Sequence, residues 1–265
     1  MTFGFIGTGS MGGALARAAR RRLEGGQILL ANRTEAKAAA LAKELGASLS
    51  NNRTIAGNAD YVFLGVKPQM MGDLLAEIGP ELRSRKDRFV LVSMAAGRSV
   101  ADIQAMAEGD YPVLRIMPNT PCSIGEGMIL YTPGPGVTAA ETDSFLEAMA
   151  GVGRFALVPE GLMDAGSAVA GCGPAFVDLF VEALADGGVA CGLPRAQAQA
   201  FAAQMVLGSA RLILESGKHP GALKDAVCSP GGTTIQGVRK LEEAGFRGAV
   251  MEAVIAAFEK NGNLK

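Results

Sequence analysis

Short apolar runs alternate with helix-length segments through the first part of the chain. Thr2–Ile6 reads as a strand, Met11–Arg22 as a helix, Gln27–Ala31 as a second strand and Glu35–Leu45 as a second helix. Tyr61–Val66 reads as an inner strand, followed by Lys67-Pro68 and a helix over Gln69–Ile78. Phe89–Ser93 and Val113–Ile116 supply further strands, separated by Gly97 and a helix over Val100–Ala107. These runs are continuously apolar, the mark of parallel strands with helices on both faces of the sheet. Ile129–Tyr131 and Phe155–Val158 are expected as edge strands around a helix over Ala139–Ala150, with Pro133-Gly134-Pro135-Gly136 as a turn.

From about Gly161 the strand signal fades. Pro174–Ala190, Arg195–Ser216, Pro220–Val227, Thr234–Ala244 and Phe246–Asn261 read as successive helices with glycine-rich joints. The pattern therefore predicts an α/β domain over residues 1–160 and an all-α domain over 161–265, with the boundary near 159–163. So much Ala, Leu, Val, Ile and Met on a helical domain would leave large apolar patches, so pairing with another subunit is expected; a helical cap folded on its own first domain is the alternative.

Composition narrows the function classes. With 25 Lys+Arg against 26 Asp+Glu, no broad basic face is offered to nucleic acid or an anionic membrane. Cys122, Cys172, Cys191 and Cys228 form no CxxC pair, and His219 is the single histidine, so no metal site is expected. No basic leader or uninterrupted apolar segment of spanning length is read, and a cytoplasmic protein is expected.

The first strand runs into Gly7-Thr8-Gly9-Ser10-Met11-Gly12. Among 36 glycines an isolated GxGxxG means little, but here it lies between a strand and an amphipathic helix. Gly7 permits the tight turn, Gly9 lets the backbone approach a pyrophosphate, and Gly12 lets the helix lie close to the sheet. Asn32-Arg33-Thr34 follows the second strand where an NAD-selective site often carries an acid. Arg33 can oppose a 2′-phosphate while Asn32 and Thr34 donate hydrogen bonds, so NADPH is the expected cofactor and NADH the alternative. Arg33 stacked on adenine or lying in solvent, with Glu35 at the ribose, is the competing reading. Asn52 can approach the ribose or cap a turn. Val66-Lys67-Pro68 ends a buried strand at the ligand edge, where Lys67 either orients the nicotinamide side through its backbone or is a surface lysine. Ser93–Gly97, with Ala95, Ala96 and Gly97, gives the nicotinamide ring room.

Ser229-Pro230-Gly231-Gly232-Thr233-Thr234 has the ingredients of a small carboxylate receptor. Gly231 and Gly232 let backbone N–H groups converge, Ser229, Thr233 and Thr234 add hydroxyls, and a helix begins beyond them. A plain helix cap is the alternative. No Ser-His-Asp arrangement is visible. A protonated imine would need little from a titrating side chain, because its carbon is already electrophilic; Thr234 is then the candidate to bond the ring nitrogen or order a water beside it. Cys228 is read as packing, Lys224 and Asp225 as a helix-end charge pattern, and Glu160 as a cap or a link between the domains.

Taken together these residues closely resemble pyrroline-5-carboxylate reductases. The resemblance spans essentially the whole chain. It includes Gly7–Gly12, Val66-Lys67-Pro68, Ala95-Ala96-Gly97, Met117-Pro118-Asn119-Thr120-Pro121 and Gly171-Cys172-Gly173-Pro174-Ala175, and is strongest over His219–Thr234. It implies reduction of L-1-pyrroline-5-carboxylate to L-proline by NADPH or NADH, in the last step of proline biosynthesis. It also implies an N-terminal Rossmann domain, a C-terminal helical dimerisation domain, homodimers often assembled into decamers, and active sites built from both subunits. By the same resemblance the Ser229–Thr234 loop binds the substrate carboxylate, Thr234 lies near the ring nitrogen, and Asn52 contacts the adenosine ribose region. Ala170, Cys172, Phe176 and Ala226 depart from the family pattern and remove polar groups that other members carry.

Two other functions fit parts of the chain. A dehydrogenase of the β-hydroxyacid class would need an acid–base group such as Lys224. A non-enzymatic dinucleotide-binding regulator would bind NADP(H) without reducing an imine.

Overall fold

The eight-stranded sheet explains the first half of the hydrophobic pattern. The computed structural model describes residues 1–262, so 263–265 of the expected second domain lie outside the described residues. The strands are β1 (Phe3–Ile6), β2 (Ile28–Ala31), β3 (Ser48–Leu49), β4 (Tyr61–Leu64), β5 (Val90–Ser93), β6 (Val113–Met117), β7 (Gly127–Pro133) and β8 (Gly153–Leu157). Their order is β3-β2-β1-β4-β5-β6-β7-β8. All neighbours are parallel except β6 and β7.

The helices of this part are α1 (Ser10–Ala19), α2 (Glu35–Leu45), α3 (Asn52–Asn58), α4 (Met71–Ser84), α5 (Val100–Ala107), α6 (Ala139–Ala148) and α7 (Met163–Ala170). Alternation along the strands divides the core in two. Phe3, Phe5 and Phe63 pack with Leu15, Leu41 and Phe145 from α1, α2 and α6. Ile6, Val62, Leu64 and Leu91 pack with Ile55, Leu75 and Ile103 from α3, α4 and α5. Each face of the sheet is thus covered, which is why its central strands show no polar alternation.

Several expectations need correction. β7 is paired on both sides, so only β8 of the two expected edge strands is an edge. The helix expected to stop at Ile78 continues as α4 through Pro80 to Ser84. Proline removes one helical hydrogen bond, but the buried Leu74, Leu75, Ile78 and Leu82 hold the segment against the sheet. The strand β3 and the helices α3 and α7 were not expected: β3 has two residues, and α3 buries only Ile55 and Ala56.

Contacts divide the chain into two compact units, one of Met1–Cys172 with the segment from Ala257 onward, the other of Gly173–Ala256. Strand structure ends at Leu157, while α7 still packs on β7 within the first unit. The second unit is all-α: α8 (Gly173–Ala190), α9 (Arg195–Ser216), α10 (Pro220–Ala226), α11 (Thr233–Glu243) and α12 (Phe246–Gly262), whose last turns belong to the first unit. The α/β Rossmann-like part followed by an all-α part is the layout expected from the sequence.

The second unit is poor in core. Ala185, Ala198 and Ala202 are buried, whereas Leu179, Phe201, Leu207, Leu214 and Met251 are exposed. The run Glu160–Ala190 reaches a mean hydropathy of 1.5 over a spanning-length window, which amends the expectation that no apolar segment is long enough. Asp178, Glu182 and Asp186 recur every four residues on α8 and give it an acidic stripe, with Asp186 paired to Arg195 at 2.5 Å.

Candidate active site

The sheet order places four loops side by side. β2, β1, β4 and β5 are consecutive parallel neighbours, and strand order runs outward in opposite senses from the boundary between β1 and β4. In an open α/β sheet the crevice at that switch point, at the carboxyl ends of the strands, is where ligands bind. The loops at those ends carry Gly7–Gly12, Asn32–Thr34, Val66–Pro68 and Ala95–Gly97.

The glycines of the first loop have different physical reasons. Gly7 has φ 97°, and a Cβ there would strike the carbonyl of Gly65. A Cβ on Gly12 would strike the carbonyl of Gly7. Gly9 caps α1, and a Cβ there would meet nothing within 4 Å. Sterics inside the chain therefore account for Gly7 and Gly12 but not for Gly9, whose open side suits close approach of a pyrophosphate. The α1 terminus has no side-chain cap and no acid in its first turn, so its N–H groups remain free for an anion. The residues present fit a dinucleotide.

Asn32 ties the second loop to the first: its Oδ1 accepts from Thr8 N at 3.2 Å and its Nδ2 donates to Thr34 O at 3.1 Å. The Thr8 hydroxyl is buried without a partner. Ser10 is exposed and Met11 half-buried against the core. Arg33 and Thr34 are exposed, and Arg33 forms no ion pair among the described residues. Asn52 opens α3 rather than lying in a loop, and its Nδ2 donates to Glu77 at 3.0 Å, leaving its carbonyl for a ribose. Val66 packs on the core, Lys67 is exposed, and Pro68 opens a 3-10 turn. Ala95 is buried, Ala96 half-buried, and Gly97 turns the chain with φ 69°.

The second set of residues lies in the other unit. Gly232 N donates to Ser229 O at 3.0 Å, closing a turn with Pro230 and Gly231 at its centre, and Gly231 has φ 70°. That is the type II pattern, which places proline second and needs glycine third. Gly232 caps α11 through no side chain, and the first turn of α11 holds no acid. Thr233 and Thr234 are exposed beside these free N–H groups. This turn can receive a carboxylate by the same physics that suits α1 to a phosphate.

Other sequence candidates are occupied. The Nδ1 of His219 accepts from Gly221 N at 3.1 Å and caps α10. Lys224 and Asp225 form an ion pair with each other. A cavity of about 770 Å³ in the helical unit contains none of the expected site residues, and Asp178, Glu182 and Asp186 on its wall would repel a carboxylate. No group of metal-binding side chains exists among the described residues. Burial, reinforced by the charges of Glu141 and Asp60, pushes the Tyr61 hydroxyl up to about 12; hydrogen bonds from Arg88 hold Glu141 down at about 2. Tyr61 opens β4, so this charge cluster lies at the amino edge of the sheet, away from the loops above.

Sequence reading missed Gly65 and Asn119. A Cβ on Gly65 would lie 2.6 Å from the carbonyl of Gly7, so both strand ends must be glycine for β1 and β4 to approach. Asn119 accepts from Met128 N at 3.0 Å and donates to Ala170 O at 3.0 Å, which gives the Met117–Pro121 motif a structural task. A glycine between Leu64 and Val66 was the available signal for the first; the second lay in a motif already singled out, but its partners Met128 and Ala170 lie further along the chain.

Residues 160–264 match the family model of pyrroline-5-carboxylate reductase dimerisation, and residues 2–97 match that of NADP oxidoreductase, coenzyme F420-dependent. The chain is 43% identical to a pyrroline-5-carboxylate reductase of Escherichia coli, over 98% of this chain and 97% of that one. It is 40% identical to one of Pisum sativum, over 99% and 96%. The crystal structure of a Plasmodium falciparum pyrroline carboxylate reductase with NADP bound superposes with TM-score 0.89 at 31% identity, covering 99% of this chain and 97% of that one.

Proposed function

The chain belongs to the pyrroline-5-carboxylate reductase family, and from that premise we propose NADPH, in preference to NADH, as its working hydride donor. The reaction is reduction of L-1-pyrroline-5-carboxylate to L-proline with NAD(P)H, and the protein works as a homo-oligomer built on dimers. Arg33 carries the preference: it is an exposed cation at the end of β2, free of any carboxylate partner among the described residues. A 2′-phosphate gains from such a charge, whereas an acid in its place would repel it.

When bound, the dihydronicotinamide supplies the hydride. The chain's own residues bind and orient. Gly7–Gly12 and the α1 N-terminus receive the pyrophosphate, with Asn32 holding the loop from the side. Asn52 meets the ribose region, and Val66–Pro68 with Ala95–Gly97 flank the nicotinamide. Ser229, Gly231, Gly232 and Thr233 receive the substrate carboxylate, and the Thr234 hydroxyl holds the ring nitrogen or a water on it. No strongly titrating group is required, because a protonated imine is activated before it binds. Assembly of the dimers into a decamer, a cytoplasmic location and the absence of nucleic-acid and membrane partners belong to the same proposal, the last supported by the balanced charge.

Two uncapped helix N-termini behind glycine turns, without acids, carry this reading. A steady-state assay with pyrroline-5-carboxylate and each reduced cofactor, with proline identified as product, tests it. NADPH is expected to give the higher kcat/KM, and Arg33→Ala to lower it about tenfold, a loss of about 1.4 kcal/mol, with little change for NADH. A preference for NADH that survives Arg33→Ala refutes the cofactor assignment; no proline from either cofactor refutes the reaction.

A further inference from the structure

The loop that leaves β5 and enters α5 is held weakly from within. Its internal hydrogen bonds are long: Ala95 N to Ser93 Oγ and Arg98 N to Ala95 O both measure 3.4 Å. The Nε of Arg98 is buried without a partner. The exit is firmer. Ser99 and Asp102 form a reciprocal cap, and Glu160, from a distant part of the chain, accepts from Val100 N at 2.7 Å. That bond joins a carboxylate to the first N–H of a helix, where both the charge-assisted hydrogen bond and the helix dipole favour it.

Glu160 is itself held by Arg115, whose side chain is 4% exposed. Nη1 of Arg115 lies 3.4 Å from Glu160 Oε1 and Nη2 lies 3.0 Å from Asp164 Oδ1. Arg115 pairs in register with Ser93, the residue from which the same loop departs. One buried cation therefore stands beside the loop's entrance and holds the carboxylate that clamps its exit. Asp164 also receives Asn261 on its carbonyl, at 3.5 Å, so the last turn of α12 ends on the same node.

We propose that Glu160, anchored by Arg115, is a positioning residue for hydride transfer: it fixes the Ala95–Ser99 loop and thereby the nicotinamide end of the cofactor, without touching cofactor or substrate. The proposal rests on the reading that this loop lies beside the nicotinamide. Binding of the adenosine end, at β1 and β2, is independent of this clamp. Small misplacement of a reacting ring is costly in rate and cheap in affinity.

The test compares the oligomeric wild type with Glu160→Ala, Glu160→Gln and Asp164→Asn. The measurements are kcat and KM with pyrroline-5-carboxylate, and Kd for NADPH and for 2′,5′-ADP, which carries the adenosine end alone. Glu160→Ala is expected to lower kcat by about 10- to 100-fold while the Kd for 2′,5′-ADP stays within about twofold. Glu160→Gln keeps an acceptor for Val100 N and is expected to restore most of the rate. Asp164→Asn, which leaves the clamp on Val100, is expected to cost less than Glu160→Ala. A wild-type kcat in Glu160→Ala, or equal losses of kcat, 2′,5′-ADP affinity and melting temperature, would overturn the assignment. Should the wild type itself fail to reduce the imine, the reaction assignment is what fails. The clamp is then judged on affinity: it stands if Glu160→Ala weakens NADPH more than 2′,5′-ADP and falls if both change alike.

Discussion

The turn before α1 and the turn before α11 solve one problem with opposite means. Both leave helix N–H groups uncapped behind closely spaced glycines, with no acid in the first turn, and in the proposed function both receive an anion. The first is enclosed: Gly7 and Gly12 are buried, and their missing Cβ atoms make room for backbone from β4 and from the loop itself. The second is looser: a Cβ on Gly231 would meet nothing within 4 Å, so glycine is needed there only for its φ of 70°, and a Cβ on Gly232 would meet the movable Ser229 hydroxyl and, at 3.1 Å, its carbonyl. The first turn is walled by residues of its own unit. The second stands in a unit with scarcely any core, whose exposed apolar helices are a dimerisation domain, so its surroundings come with assembly.

Alanine at the two turns separates these cases most sharply. Gly12→Ala drives a methyl into the carbonyl of Gly7 and must push α1 off the loop. Overpacking of this kind costs about 1–3 kcal/mol, and displacement of the N–H groups is expected to raise the Kd for NADPH by roughly 100-fold. Fluorescence titration of NADPH measures it; affinity within a few-fold of wild type would show that the α1 terminus does not hold the pyrophosphate. Gly231→Ala meets no atom and pays only for left-handed backbone, about 1–2 kcal/mol. It is expected to raise the KM for pyrroline-5-carboxylate about tenfold and to leave NADPH binding unchanged. A parallel loss of NADPH affinity would remove the distinction between the turns.

The same contrast explains what could be read in the sequence. Local rules sufficed where a residue's reason is local. Helices α2, α5 and α9 have the bounds their periodicity predicts, and Gly7 and Gly12 sit where a strand-to-helix phosphate turn needs them. They failed where the reason is tertiary. Nothing in Asn52-Arg53-Thr54-Ile55 announces a helix, because Ile55 earns its place only against Gly4 of β1. The helix expected to end at Ile78 runs on through Pro80 because buried leucines hold it to the sheet. Glu160 could be read only as a cap or a link, and the helix it caps begins 60 residues earlier in the chain. The turn at Ser229–Gly232 was visible because proline and glycine encode it; what surrounds it in the assembled protein has no local signature.

The smallest effect expected lies away from both turns and serves as their control. Glu141 accepts from Arg88 at 2.6 and 2.9 Å and from the Thr138 backbone at 2.8 Å, and these bonds hold its carboxyl at about 2. Since the folded value lies below the ordinary carboxylate value of 4.5, the charged form adds stability above that value, and the gain is lost as pH falls toward 2. Arg88 is half-exposed, so the contribution is discounted to about 1–2 kcal/mol. Glu141→Gln is therefore expected to lower the melting temperature by about 2–4 °C at pH 7 and by nothing measurable near pH 2. Thermal melts across that range decide the point, since a difference that persists in acid would mean that packing, not charge, is lost. Activity at pH 7 and 25 °C should be unaffected, because the pair stands at the amino edge of the sheet while both anion turns are built on other elements. A fall in NADPH affinity with Glu141→Gln would mean that the α1 turn borrows its rigidity from the whole sheet rather than from the glycines that shape it.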